Sequence, residues 1–148
     1  MKLKTIEDLD VSGKVVLVRC DFNVPIDEDG EISDASRIER HAPTIITLVN
    51  KGAKVALLSH FGRPAGKVDE NLSLGFISES LTETFKAPEI VVIPDCIGDV
   101  TKQVLKDMPD GQIALLENVR FYEGEENNDD DFSKSLADIA DIYVNDAF

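Results

Sequence analysis

The 148 residues carry 15 Lys and Arg against 29 Asp and Glu, a formal charge of −14, and 43% of them are hydrophobic. That length matches one domain, long and apolar enough to bury a core, so a disordered polyelectrolyte is excluded. The acidic balance argues against nucleic acid or an anionic membrane as a partner, because both call for a basic face. No apolar run approaches the ~18 residues of a bilayer span. The start, Met1-Lys2-Leu3-Lys4-Thr5-Ile6-Glu7-Asp8, lacks a signal-peptide core. Cys20 and Cys96 are too few for a disulfide scaffold and sit beside apolar runs, as reduced thiols of a cytoplasmic protein do.

In chain order, Lys14–Cys20 is β-branched and nearly continuous in apolar character, the pattern of a strand buried on both faces. Asp27–Glu31 reads as an exposed turn. From Ser36 to Lys51, Ile38, Ala42, Ile45, Ile46 and Val49 recur at helical spacing, and Gly52 is a C-terminal stop. Pro43 inside that window predicts a kink or a delayed start to the regular helix. Lys54–Ser59 is a second strand, followed by a Gly, Pro and charge-rich loop over 60–71. Ser73 with Leu74, Ile77, Ser78, Leu81 and Phe85 predicts a capped amphipathic helix. Ile90–Ile93 is a third strand and Val100–Met108 a short helix. Gln112–Leu116 is a fourth strand, Phe132–Ile139 a helix, and Ile142–Val144 a fifth strand.

Strands alternating with helices at these separations predict βαβ units: an α/β, three-layer Rossmann-like domain with a parallel sheet and helices on both faces. Ligands of such sheets bind beyond the C-terminal ends of the strands. The five strands run into Asp21-Phe22-Asn23, Ser59-His60-Phe61-Gly62-Arg63-Pro64, Asp95-Cys96, Glu117-Asn118-Val119-Arg120 and Asn145-Asp146. So regular a placement of polar side chains predicts one shared site.

The residues exclude several chemistries. There is no Walker-type loop and no G-x-G-x-x-G. Asp27-Glu28-Asp29-Gly30 lacks EF-hand spacing, and two histidines with two separated cysteines make no zinc signature. The carboxylate-dense segment Glu123–Asp131 reads as a solvated loop before a helix, with Asp130 and Asp131 favouring the helix N-terminus, rather than as a metal site. Nor is there a nucleophile elbow around Ser59. What remains is His60, Arg37, Arg63 and Arg120 with Asp21 and Asn23. Guanidinium groups can clamp phosphate and carboxylate bidentately, while Asp and Asn bind a hydroxyl. Each arginine taken singly is better explained by pairing with one of the many carboxylates; the set together points to a small phosphorylated hydroxy acid.

Val16-Leu17-Val18-Arg19-Cys20-Asp21-Phe22-Asn23-Val24-Pro25 closely resembles the opening motif of phosphoglycerate kinases. Further matches follow in order. They are Arg37-Ile38 with Pro43-Thr44-Ile45, Gly52–Val55, Ser59–Pro64, Asp95–Gly98, Leu115–Phe121, Glu125–Asn128 and Tyr143–Phe148. The resemblance implies reversible phosphoryl transfer between 1,3-bisphosphoglycerate and ADP, giving 3-phosphoglycerate and ATP. It implies that residues 1–148 are an incomplete N-terminal phosphoglycerate-binding domain. It further implies that the C-terminal domain binding Mg-ATP or Mg-ADP is absent from these residues, that the chain is expected to be inactive alone, and that the full-length enzyme is expected to be a cytoplasmic monomer. Carried over residue by residue, Asp21, Phe22 and Asn23 would bind the glycerate hydroxyl and carboxylate region. His60, Phe61, Gly62, Arg63 and Arg120 would line the phosphate end, and Arg37 would act catalytically on the migrating phosphoryl group. No metal or cofactor is expected within these residues.

Ala35-Ser36 precede Arg37 where the family often has an acidic residue or Asn before Thr. Phe61 stands where Leu is common and His41 where Ala is common; both are expected to be neutral, with His41 partly exposed on the helix. Arg40 is expected to be solvated or ion-paired, and Cys20 and Cys96 to be small apolar fillers. Two alternatives carry other functions. A non-catalytic α/β anion-binding or interaction module would use the same basic cluster. A receiver-like domain is disfavoured, because it needs acidic metal ligands where these strand ends carry Arg and His.

Overall fold

The computed structural model describes residues 10–29, 31–60, 74–87, 89–118 and 130–146. Within them, five parallel strands, β1 (Val15–Arg19), β2 (Lys54–Leu58), β3 (Ile90–Val92), β4 (Ile113–Leu115) and β5 (Ile142–Asn145), form one sheet in the order β3-β4-β2-β1-β5. The register pairs Val15 with Lys54 and Arg19 with Leu58 across β1 and β2, and Val16 with Ile142 across β1 and β5. Because side chains alternate along a strand, each strand feeds two cores. Val16, Val18, Val55, Leu57 and Leu115 pack with Ile38, Ile45, Leu48 and Leu81 on one face. Val15, Leu17, Ala56, Leu58 and Ala114 pack with Leu105, Phe132 and Ile139 on the other. The domain is therefore the three-layer α/β fold expected.

The helices are α1 (Ser36–Glu39), α2 (Ala42–Asn50), α3 (Ser78–Thr84), α4 (Asp99–Asp107) and α5 (Asp130–Asp138). From β1 through β2 to β3 the chain moves toward one edge with α1–α3 on one face. From β3 through β4 to β5 it moves back with α4 and α5 on the other, as crossovers of a single hand require. The helices that follow adjacent strands β2 and β4 thus lie on opposite faces, and in such sheets a crevice opens between strands of that kind.

Two elements correct the sequence reading. The single helix expected over 36–51 is two, broken at Arg40 and His41. Pro43 lies in the first turn of α2, where its missing N–H costs nothing, so it starts a helix rather than kinking one. The helix expected from Ser73 begins as a 3₁₀ turn at Leu74–Ile77 before α3, and Ser73 itself lies outside the described residues. The stop at Gly52 holds: with φ +83 it takes the left-handed conformation, and Gly52 and Ala53 donate to the carbonyls of Val49 and Leu48. Among the described residues no helix is long and apolar enough to cross a membrane.

Candidate functional site

The exit of β1 is built from its backbone outward. Cys20 N–H continues the ladder to Leu58 O at 2.8 Å, and the next four amides each find a different acceptor. Asp21 N–H donates to His41 Nε2 at 2.9 Å, Phe22 N–H to Ser59 Oγ at 3.0 Å, and Asn23 N–H to the Asp21 carboxylate at 3.1 Å. Val24 N–H closes on Phe22 O at 2.8 Å. A buried amide without a partner is costly, so this set of acceptors defines the loop's path. Ser59 Oγ also donates to His60 O at 3.1 Å, tying the exits of β1 and β2 together.

Arg37, in the first turn of α1, donates from Nη1 to Asn23 O at 2.6 Å and stands 3.5 Å from the Asp21 carboxylate. Both charged side chains are substantially exposed, so this pair contributes little to stability and leaves the guanidinium accessible to a ligand. The turn of α1 is set by Asp34, whose carboxylate accepts from Ser36 N–H at 2.9 Å; that bond lowers the Asp34 pKa from its ordinary value.

Asp21, Asn23 and Arg37 are therefore brought together, with half-buried His60 at the end of the neighbouring strand. Phe22, expected among the substrate contacts, has its ring fully buried in the core, edge-on to the His41 ring at 5.4 Å. Phe61, Gly62, Arg63 and Arg120 lie outside the described residues; β2 and β4, which lead toward them, are sheet neighbours. The site expected to be shared by all five strand ends falls in part outside the described residues, since Phe61, Gly62, Arg63 and Arg120 do. Asp95, at the end of β3, turns its carboxylate onto the amide of Cys96 at 2.7 Å, and β3 lies three strands from β1, roughly 14 Å away at ordinary strand spacing.

The sequence reading missed His41. It is 4% exposed rather than partly solvated, and its Nδ1 lies 2.6 Å from the carboxylate of Asp146, which also accepts from Thr44 Oγ1 at 3.0 Å. Its position four residues after Arg37, one helical turn along, was the available signal, but no sequence rule linked it to Asp146. Arg40 is exposed, as expected. Cys20 and Cys96 are free, buried thiols. Burial first, then the Asp146 carboxylate, pushes Cys20 up, and burial with Asp95 and Glu117 pushes Cys96 up. Both are packing residues rather than nucleophiles.

Among the described residues no three His, Cys, Asp or Glu side chains gather so as to hold a metal ion. A cavity of about 450 Å³ opens instead between β1, β5 and α5, with Leu17, Leu136 and Tyr143 in its lining. Neither Arg37 nor Asp21 lines it.

The phosphoglycerate kinase family model matches residues 6–148. The chain belongs to the phosphoglycerate kinase family. It is 53% identical over 151 residues to the phosphoglycerate kinase of Trichodesmium erythraeum (strain IMS101), covering all of this chain and 37% of that one. It is likewise 53% identical over 146 residues to that of Rhizobium johnstonii, covering 98% of this chain and 36% of the relative. Among solved structures, the phosphoglycerate kinase of Pyrococcus horikoshii OT3 superposes with a TM-score of 0.84 at 30% identity, over 98% of this chain and 36% of that chain. The enzyme from Coxiella burnetii gives 0.82 at 34% identity, over 96% and 34%. The chain thus spans little more than a third of the length of the phosphoglycerate kinases it matches.

Proposed function

We propose that this chain is the phosphoglycerate-binding part of a cytoplasmic, glycolytic phosphoglycerate kinase. That enzyme moves a phosphoryl group reversibly between 1,3-bisphosphoglycerate and ADP, giving 3-phosphoglycerate and ATP. The reading is carried by one observation: an exposed guanidinium, Arg37, held by a backbone carbonyl at 2.6 Å beside the Asp21 carboxylate, at the C-terminal end of a parallel sheet. Asp21 accepts a hydrogen bond from the glycerate hydroxyl and Asn23 donates one to the carboxylate region. His60, Arg63 and Arg120 hold the far phosphate. Arg37 faces the migrating phosphoryl group, where a fixed cation lowers the cost of charge spreading over the equatorial oxygens as one P–O bond breaks and another forms. Mg-nucleotide belongs to the length of the relatives that this chain does not span, so the chain alone turns over nothing.

Calorimetry with 3-phosphoglycerate tests the reading. Weak binding, on the order of millimolar, should be lost in an Arg37→Ala, Arg63→Ala double variant, since two charge-assisted anchors are removed. No heat at millimolar ligand, or unchanged binding in the double variant, overturns it. Thermal stability of Arg37→Ala alone should barely change, because the Arg37–Asp21 pair is exposed.

A further inference from the structure

His41 sits where two strand exits meet, and its two ring nitrogens face opposite demands. Nε2 receives the backbone N–H of Asp21, which can only donate, so Nε2 must carry a lone pair. The proton of the neutral ring is then on Nδ1, aimed at the Asp146 carboxylate 2.6 Å away. The opposite tautomer would set N–H against N–H at Asp21. Asp146 is itself fixed: its amide donates to Arg19 O at 2.9 Å as the last rung between β1 and β5, and its second oxygen accepts from Thr44 on α2. The Phe22 ring meets the imidazole edge-on, with centroids 5.4 Å apart.

We propose that His41 is a positioning residue, locked by Asp146 as the Nδ1–H tautomer, that sets the placement of the Asp21–Asn23 loop and links it to the end of β5. The chain of contacts is continuous: β5, Asp146 carboxylate, His41 ring, Asp21 amide, then the Asp21 carboxylate that meets Asn23 N–H and Arg37. A displacement of the β5 end therefore reaches the ligand-facing carboxylate through two short polar contacts, with no need to deform the core. The importance of this placement for phosphoglycerate rests on the function proposed above; the tautomer and the linkage do not.

Two isosteres separate the two halves of the ring. Gln at position 41 keeps an acceptor near Nε2 for the Asp21 amide but loses the Asp146 contact. Asn keeps a donor near Nδ1 but cannot reach Asp21. In the 148-residue chain, ring nitrogen NMR should show an unprotonated Nε2 and a protonated Nδ1 with a strongly downfield proton, which Asp146→Asn shifts upfield. Amide exchange at Asp21 should accelerate at least roughly tenfold in His41→Asn and much less in His41→Gln, as loss of one buried hydrogen bond predicts. Affinity for 3-phosphoglycerate should follow the same order. An Nε2–H tautomer in the unsubstituted chain, or equal Asp21 exchange in the two variants, overturns the proposal. Should 3-phosphoglycerate bind none of these proteins, the function proposed above fails, while the tautomer and the Asp21 exchange still decide the role of His41.

Discussion

β2 and β5 both pair in parallel with β1, yet β2 is buried over four of its five residues while β5 alternates between half-buried and exposed. The reason is position. β2 has β4 on its far side and helices above and below, whereas among the described residues β5 pairs with β1 alone. Each nevertheless supplies one anchor to the same loop. Ser59, following β2, takes the Phe22 amide, and Asp146, following β5, holds His41 against the Asp21 amide. The Asp21–Asn23 loop is thus suspended between the most buried part of the sheet and its least buried strand, so the placement of Asp21 depends on both.

Truncating a side chain in each strand tests that contrast most strongly. Leu57→Ala, at a fully buried site of β2, should cost about 2–5 kcal/mol by urea denaturation, from lost transfer energy plus a cavity. Val144→Ala, half-buried on β5, should cost about 1 kcal/mol. Equal losses would mean that β5 is as well supported as β2.

A smaller effect sharpens the comparison at the two anchors. Ser59→Ala strands the buried Phe22 amide and should cost about 1–3 kcal/mol, read as a lower denaturation midpoint and faster exchange at Phe22. Unchanged Phe22 exchange would show that the β2 anchor does not hold the loop.

The smallest effect is in pH. Burial and the nearby Asp146 carboxylate raise the Cys20 pKa in the fold, whereas an unfolded thiol ionises near about 8.5. A raised native pKa leaves this contribution to stability intact below the unfolded value and removes it as pH rises above it, because only the unfolded chain then releases the proton. Urea midpoints should therefore fall from pH 8 to pH 10, and Cys20→Ala should flatten part of that slope. An unchanged slope in the variant would place the titration elsewhere.

The alternation of β-branched runs with 3.6-residue periodicity was enough to read the parallel α/β fold, since βαβ units leave few topologies. Asp21, Asn23 and Arg37 were legible too, because they follow a strand or open a helix in a recognisable order. The break at Arg40 and His41 was only half legible: Pro43 signalled an irregularity, and which way it resolved depended on α1 burying Ile38 while α2 buried Ile45 and Leu48.

By itself, then, the sequence determined the layers, the strand directions and the side chains offered at the strand ends, because periodicity and residue type are local properties. The tertiary structure alone decided the strand order, and with it which of those ends meet. It set β3 three strands from β1. It also joined His41 to Asp146 across 105 residues, a pairing that no spacing rule encodes because it arises only when β5 docks against β1.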